Sequence, residues 1–138
     1  MMALALAALA TGVVAGLRRM GWDVTVPGYA TPLDHGPLMI AGFLGTLIGL
    51  ERAVALGRAW VYAGPLTGGI GVLGHIAGAP AIVAPASATL ASGVLVAALV
   101  TVVVEHPTIF HVVMTVAAAS WTIGNLLWLL GASGPSYV

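Results

Sequence analysis

The chain has 138 residues, of which 60% are hydrophobic and 6% are charged. Soluble domains carry about 25% charged residues, so this composition indicates an integral membrane protein. Four arginines balance four carboxylates and no lysine is present, which excludes a basic surface that could hold nucleic acid by its phosphates. The absence of cysteine excludes disulfides, thiolate metal sites and covalent c-type haem attachment, so any metal ligand must be His, Asp, Glu or Met.

Charges and Pro/Gly clusters divide the chain into five apolar stretches, each about long enough to cross a bilayer as a helix. These stretches are residues 1–17, 37–56, 60–77, 81–104 and 108–130. None alternates in polarity as a strand of a membrane β-barrel does. The sequence therefore predicts an all-α fold, a polytopic helical membrane bundle of about five transmembrane helices in a single domain, residues 1–138. We expect a multi-pass location in the bacterial inner membrane, in contact with the lipid bilayer.

The connections assign the charged residues to two membrane faces. Residues 18–36 form the longest connection, whose face we name side A, and the turn at residues 78–80 returns to it. The turns at residues 57–58 and 105–107 lie on the opposite face, side B. Because two arginines lie near each face, the excess of positive charge that marks a cytoplasmic loop does not set the orientation.

Small residues form stripes on the second and third predicted spans. Ala41, Gly45, Gly49 and Ala53 recur every four residues, a spacing that predicts one helix-packing face. On the third span the steps of one helical face join Gly64, Gly68, Gly71, His75 and Gly78.

Two histidines lie near side A, at the start of the second span and the end of the third. His35 is seven residues from Gly42, and His75 is seven residues from Gly68, so both imidazoles lie two turns above a glycine at matching depth. His35 and His75 are therefore candidate metal ligands, with Gly42, Gly68 and Gly71 as smooth surface for a flat macrocycle of b-type haem. The alternative is that the glycines serve helix packing and that the histidines lie among headgroups or bond backbone carbonyls.

Ionisable residues near side B form a second candidate cluster. Glu51 and Arg52 are neighbours about 100° apart on a helix, so we expect each to find a partner elsewhere. Glu105 and His111 lie at the same depth, which predicts a polar network of Glu51, Arg52, Glu105 and His111. Its three possible roles are structural ion pairing, charges that reach the interface, and a path for protons or a ligand.

The fifth predicted span carries a polar line. His111, Thr115, Thr122 and Asn125 fall within about 40° of one direction on a helix, so this face should meet protein or water. Hydrogen bonding between helices is one interpretation, and a proton relay from side B towards side A is the other.

The stretch LDHGPLMIAGFLGTLIGLERAVALG resembles NnrS-type polytopic membrane proteins, a haem- and copper-containing family linked to the nitric oxide response. The fragment HGPLM is also similar to the histidine helices of haem–copper oxidase subunits. The resemblance covers residues 34–57 and implies that His35 is a haem or copper ligand. The second histidine and the glutamate that accompany this histidine in the family are replaced here by Gly36 and Pro37.

Three functional hypotheses follow. The first is a membrane protein that binds haem b or copper in a respiratory or nitric-oxide-related electron transport system. The second is a non-catalytic accessory subunit without a cofactor, which docks through glycine-rich helix faces against other membrane subunits or its own copies. The third is one half of a transporter. No H-E-x-x-H, Walker A or G-x-S-x-G motif is present, and no catalytic residue is nominated.

Overall fold

The computed structural model describes residues 1–132, where all regular secondary structure is helical. The last six residues of the predicted domain, 133–138, lie outside the described part. Helix α1 covers Met2–Arg19, α2 covers Pro32–Leu56, α3 covers Ala63–Ile76 after a 3-10 turn at Ala59–Tyr62, α4 covers Val83–Glu105, and α5 covers Ile109–Ala132.

Four of these helices, α1, α2, α4 and α5, are long and apolar enough to cross a membrane. Helix α3 has 14 residues, a length of about 21 Å at 1.5 Å per residue. Its preceding 3-10 turn extends the helical segment to about 29 Å, close to the hydrocarbon thickness of about 30 Å. The predicted all-α membrane bundle is confirmed, and the protein is a multi-pass membrane protein.

Proline and glycine mark the helix ends. Pro32, Pro65 and Pro85 each lie in the first turn of a helix, where the missing N–H would have had no partner within the helix. Gly57 ends α2 with a left-handed backbone, φ 63°, and its N–H donates to the carbonyl of Ala53 at 3.0 Å. A residue with a Cβ is strained in this conformation, so glycine makes the sharp stop possible.

Helix α2 begins at Pro32, earlier than the predicted residue 37. The carboxylate of Asp34 accepts hydrogen bonds from the backbone N–H of Thr31 at 2.6 Å and from its hydroxyl at 2.8 Å. These bonds stabilise a first turn that lies before the predicted start of the span at residue 37. The middle of the helix, Leu38–Gly45, is a π-helix, which widens the turn next to α1.

The connection between α1 and α2 folds over the side A end of α3. The Tyr29 N–H donates to the carbonyl of Ile76 at 2.9 Å, and the Tyr29 ring lies against Gly78. Gly28, with φ 66°, approaches Ile76 so closely that a Cβ there would overlap the carbonyl oxygen. The connection therefore holds the start of α2 against the end of α3.

Helix α3 lies between α1, α2 and α4, and its glycines make this possible. A Cβ on any of these glycines would press against a neighbouring helix, so the backbones pack at short range. The contacts are Gly69 with Leu4 of α1, Gly68 with Thr46 of α2, and Gly64 and Gly71 with Val94 and Ser87 of α4.

The stripe on α2 is internal but does not meet a single helix. Each four-residue step rotates the position by about 40°, so successive members face different neighbours. Gly45 lies beneath the ring of Trp121 of α5, Gly49 contacts Pro65 of α3, and Ala53 packs with Val61 and with Ala98 of α4. Ala41 lines a small cavity that also borders α3 and α4.

Helices α4 and α5 form an antiparallel hairpin at one side of the bundle. Leu95 and Leu99 of α4 pack with Ala118 of α5. Of the apolar window of α5, 11% is buried, compared with 28–33% for the other three long helices. Most of α5 therefore faces outward.

Candidate functional site

His75 meets Asp34 at the side A end of the bundle. The imidazole Nε2 lies 3.1 Å from Oδ1 of Asp34, and about a quarter of each side chain or less is exposed. Within the described residues Nε2 is buried and has no aligned hydrogen-bond donor or acceptor. The contact is thus a close approach of ring and carboxylate rather than a well-formed hydrogen bond.

His35 turns to a different helix. Its Nδ1–H donates to the backbone carbonyl of Gly12 of α1 at 2.8 Å, which fixes the proton on Nδ1. Gly16 lies one turn further along α1, and a Cβ there would meet the ring at 2.8 Å. His35 lines an open cleft on the α1 side, whereas His75 lines the cavity between α2, α3 and α4. The two rings therefore do not face each other across a common space.

The residues predicted to surround a haem do not fit one as packed here. A Cβ on Gly42 would lie 2.8 Å from Val72, and one on Gly71 would lie 2.5 Å from the Cβ of Ser87, so helices already cover both glycines. Gly68 is covered by Thr46. The cavity beside His75 measures about 30 Å³, room for about two water molecules and far less than a macrocycle occupies.

A metal ion held by side chains has no better site. No group of three or more His, Asp or Glu side chains that could hold a metal occurs in the part of the chain that the structure describes. Asp34 and His75 are close to each other, but the ring of His35 points to α1. Haem and copper remain predictions from the sequence.

The side B residues gather around an open crevice of about 370 Å³. The crevice lies between the α2–α3 turn and the α4–α5 turn. Its polar lining consists of Arg52, Arg58, Glu105, His106 and His111, and its apolar lining of Ala55, Leu56 and Val102. Three of the four residues of the predicted network line the crevice, and Glu51 does not.

The pairing within this network differs from the prediction. Arg52 binds its own neighbour Glu51, with 2.6 Å between Nη2 and Oε1, so the expectation that these two cannot pair well was wrong. Their long side chains bend towards each other although their Cβ atoms diverge. Glu105 forms an ion pair with Arg58 rather than with Arg52. The Nδ1–H of His111 donates to the carbonyl of His106 at 2.6 Å.

The polar line of α5 contains two threonines that form hydrogen bonds within the helix and one asparagine that forms hydrogen bonds to another helix. Thr115 and Thr122 donate to carbonyls one turn back in α5, at 2.8 and 2.9 Å. Asn125 is buried and donates to Oγ of Ser92 at 3.1 Å and to the carbonyl of Ala88 at 3.3 Å, both in α4. These hydroxyls, committed to their own helix, do not form a continuous relay with Asn125.

Comparison with known proteins gives one match. The model of a protein family described as "Domain of unknown function (DUF8744)" matches residues 1–138. The chain belongs to the DUF8744 family. No curated protein and no solved structure matches it. The matches to this DUF8744 chain include no NnrS-type protein or haem–copper oxidase, so the resemblance at residues 34–57 stays a prediction.

Three polar residues of this DUF8744 chain were not nominated from the sequence: Asp34, Arg58 and His106. Asp34 follows Thr31 by three residues, which is the spacing of a helix capping box, and it lies on the same face as His75. Arg58 and His106 lie in the two side B turns. Their membership of a common membrane face is the signal that could have joined them to the predicted network.

Proposed function

We propose that this protein is a non-catalytic membrane subunit whose outer α5 face docks against another transmembrane helix. The observation that carries the proposal is the low burial of α5, 11% of its apolar window compared with 28–33% for the other long helices. A helix held mainly by its hairpin partner has a large surface left for contact with a helix outside the bundle.

The outer face of α5 has the small residues that helices in lipid use for close approach. Ala117, Ser120, Gly124 and Gly131 follow steps of three, four and seven residues, which place them on one side of the helix. Among residues 1–132, nothing lies within 4 Å of a Cβ built on Gly124 or Gly131. Association in lipid relies on packing at such positions because lipid chains remove the hydrophobic drive.

A cleft beside this face offers a binding site for a side chain of a partner helix. It measures about 340 Å³ and lies between the first half of α2 and the second half of α5. Ile40 and Ala41 line one wall, and Gly124 and Trp128 line the other. A large apolar side chain on a partner helix would enter this cleft while the backbones meet at Gly124.

The docking surface proposed here differs from the one that the sequence indicates. Gly45 and Gly49 contact Trp121 and Pro65 inside the bundle, so they are not free to meet a partner. Replacing either would disturb the fold itself. The α5 face takes their place because its glycines have open space around them.

Gly124→Leu tests the proposal, with Gly93→Leu as the matched control. Gly93 lies on α4, and among the described residues a Cβ there also meets nothing within 4 Å, so a side chain can begin at either position without a clash. After mild solubilisation of native membranes, we expect wild type and Gly93→Leu to migrate as a complex on a native gel and Gly124→Leu to migrate as a monomer.

Cross-linking in the membrane tests whether the partner is a second copy of this chain. The chain has no cysteine, so Gly124→Cys places the only thiol on the proposed face. Oxidation should give a product of twice the monomer mass if the partner is a second copy. Monomeric wild-type protein, or a complex unaffected by Gly124→Leu, would contradict the proposal.

A further inference from the structure

The side B crevice contains a buried donor without an acceptor. The Nε of Arg52 is buried and has no hydrogen-bond partner within residues 1–132, while Nη2 of the same guanidinium binds Glu51. A buried N–H that forms no hydrogen bond destabilises the protein, and a charged group does so more than a neutral one. Because the Arg52 side chain lines the crevice, a rotation of its guanidinium would bring this N–H to an acceptor there and remove the cost.

A second guanidinium shares the crevice. Arg58 lies on the α2–α3 turn and pairs with Glu105, and a single carboxylate leaves part of its five N–H groups available. With neutral histidines, the two arginines and their partners Glu51 and Glu105 balance in charge. What the crevice offers an anion is the remaining N–H groups of two planar guanidinium groups, which match the geometry of phosphate oxygens.

The shape and place of the crevice select the kind of anion. It opens at the ends of α2 and α4, at the depth where lipid headgroups lie. Beside its arginines the crevice is lined by the apolar side chains of Ala55, Leu56 and Val102. Guanidinium donors beside apolar side chains are complementary to an amphiphile whose phosphate is joined to acyl chains.

We propose that the crevice of Arg52, Arg58 and Glu105 binds the phosphate of a membrane phospholipid. The phosphate oxygens accept hydrogen bonds from Nε of Arg52 and from Arg58, and the first methylene groups of the acyl chains lie along Leu56 and Val102. The same oxyanion chemistry is offered by inorganic phosphate, so the two sources need separate tests. The proposal does not rest on docking through α5, because Gly124 lies towards the opposite membrane face.

Native mass spectrometry of the detergent-purified protein tests this site. The probes are phosphatidylglycerol and a neutral diacyl glycolipid with the same acyl chains. We expect wild type to retain phosphatidylglycerol over the glycolipid, and Arg52→Gln and Arg58→Gln each to bind it about tenfold more weakly. Arg19→Gln is the matched control, since it removes an arginine on side A, and it should bind as wild type does.

Two further variants separate a loss of phosphate binding from a loss of folding. Arg52→Lys keeps the charge but lacks the Nε–H, so it should lose most of the affinity while its thermal unfolding stays near that of wild type. Arg58 is in an exposed turn, so Arg58→Gln supplies the test even if Arg52 variants fail to fold.

Inorganic phosphate distinguishes the two sources. Retained phosphatidylglycerol that millimolar phosphate does not displace assigns the site to the lipid headgroup. Displacement by phosphate, with a higher melting temperature in phosphate alone, keeps the oxyanion site but overturns the assignment to a lipid. Equal retention of phosphatidylglycerol and glycolipid, or unchanged retention in both Gln variants, would overturn the proposal.

Discussion

Asn125 joins α5 to α4 by hydrogen bonds. Its amide is 6% exposed and donates to Oγ of Ser92 and to the carbonyl of Ala88. Ser92 itself is fully buried and donates to its own helix, so its oxygen can still accept. In an apolar surrounding such a bond holds two helices at one register as well as at one distance.

Asn125→Leu should destabilise the protein by about 1 kcal/mol, the order found for hydrogen bonds between membrane helices. Unfolding in mixed micelles followed by circular dichroism measures the change. Ser120→Ala is the control, because that hydroxyl is exposed and donates within α5. Additive effects of Asn125→Leu and Ser92→Ala would mean that the two side chains are not coupled.

At the scale of residues, the sequence predicts which polar groups lie at one depth but not which of them pair. Helical periodicity predicts one line of polar residues on α5: His111, Thr115, Thr122 and Asn125. It does not predict that, of these, Asn125 forms hydrogen bonds to another helix. The Glu51–Arg52 pair was missed because directions of Cβ atoms do not describe side chains with three or four rotatable bonds. The Arg58–Glu105 pair joins two turns, and sequence separation hides their proximity.

At the scale of helices, the close contact of α3 with α4 depends on Gly71. A Cβ on Gly71 would lie 2.5 Å from the Cβ of Ser87. A Cβ cannot rotate away as the end of a long side chain can, so the two helices would have to separate. Interiors are close-packed, and the strain of such overpacking spreads to neighbouring contacts.

Gly71→Ala should therefore destabilise the protein by about 1–3 kcal/mol although alanine is the better helix former. Thermal unfolding of purified variants measures the effect. Gly93→Ala, where a Cβ meets nothing within 4 Å, should be neutral or slightly stabilising. Combining Gly71→Ala with Ser87→Gly should recover most of the lost stability, and no recovery would show that Ser87 is not the obstacle.

Helix number and most helix ends follow from the sequence, because apolar length, first-turn prolines and terminal glycines act locally. The early start of α2 depends on the capping bonds of Asp34, and neither these bonds nor the π-helix of Leu38–Gly45 has a signal in the apolar pattern. The glycine stripes predict close packing. The stripes do not indicate which neighbour packs against the glycines. In this structure neighbouring helices, and not a macrocycle, pack against them.

At the scale of the whole molecule, five passes would place the two ends of the described chain on opposite faces, and four passes would place them on the same face. The α1–α2 connection and the α3–α4 turn lie on side A only if the short α3 crosses the membrane. Its length of about 29 Å with the 3-10 turn permits a crossing without tilt.

Cysteine labelling in membrane vesicles tests this topology in a chain that has no natural cysteine. We expect Asp23→Cys and Ala81→Cys to react with an impermeant maleimide from the same face, and Pro107→Cys from the opposite face. Labelling of Asp23→Cys and Ala81→Cys from different faces would mean that α3 does not cross.

The hairpin of α4 and α5 has a consequence for biogenesis. Within the described residues, α5 packs mainly against α4, the helix made just before it. During synthesis the first four helices can leave the translocon and assemble while α5 is still inside the ribosome. Helix α5 then packs against a bundle that the four preceding helices have already formed.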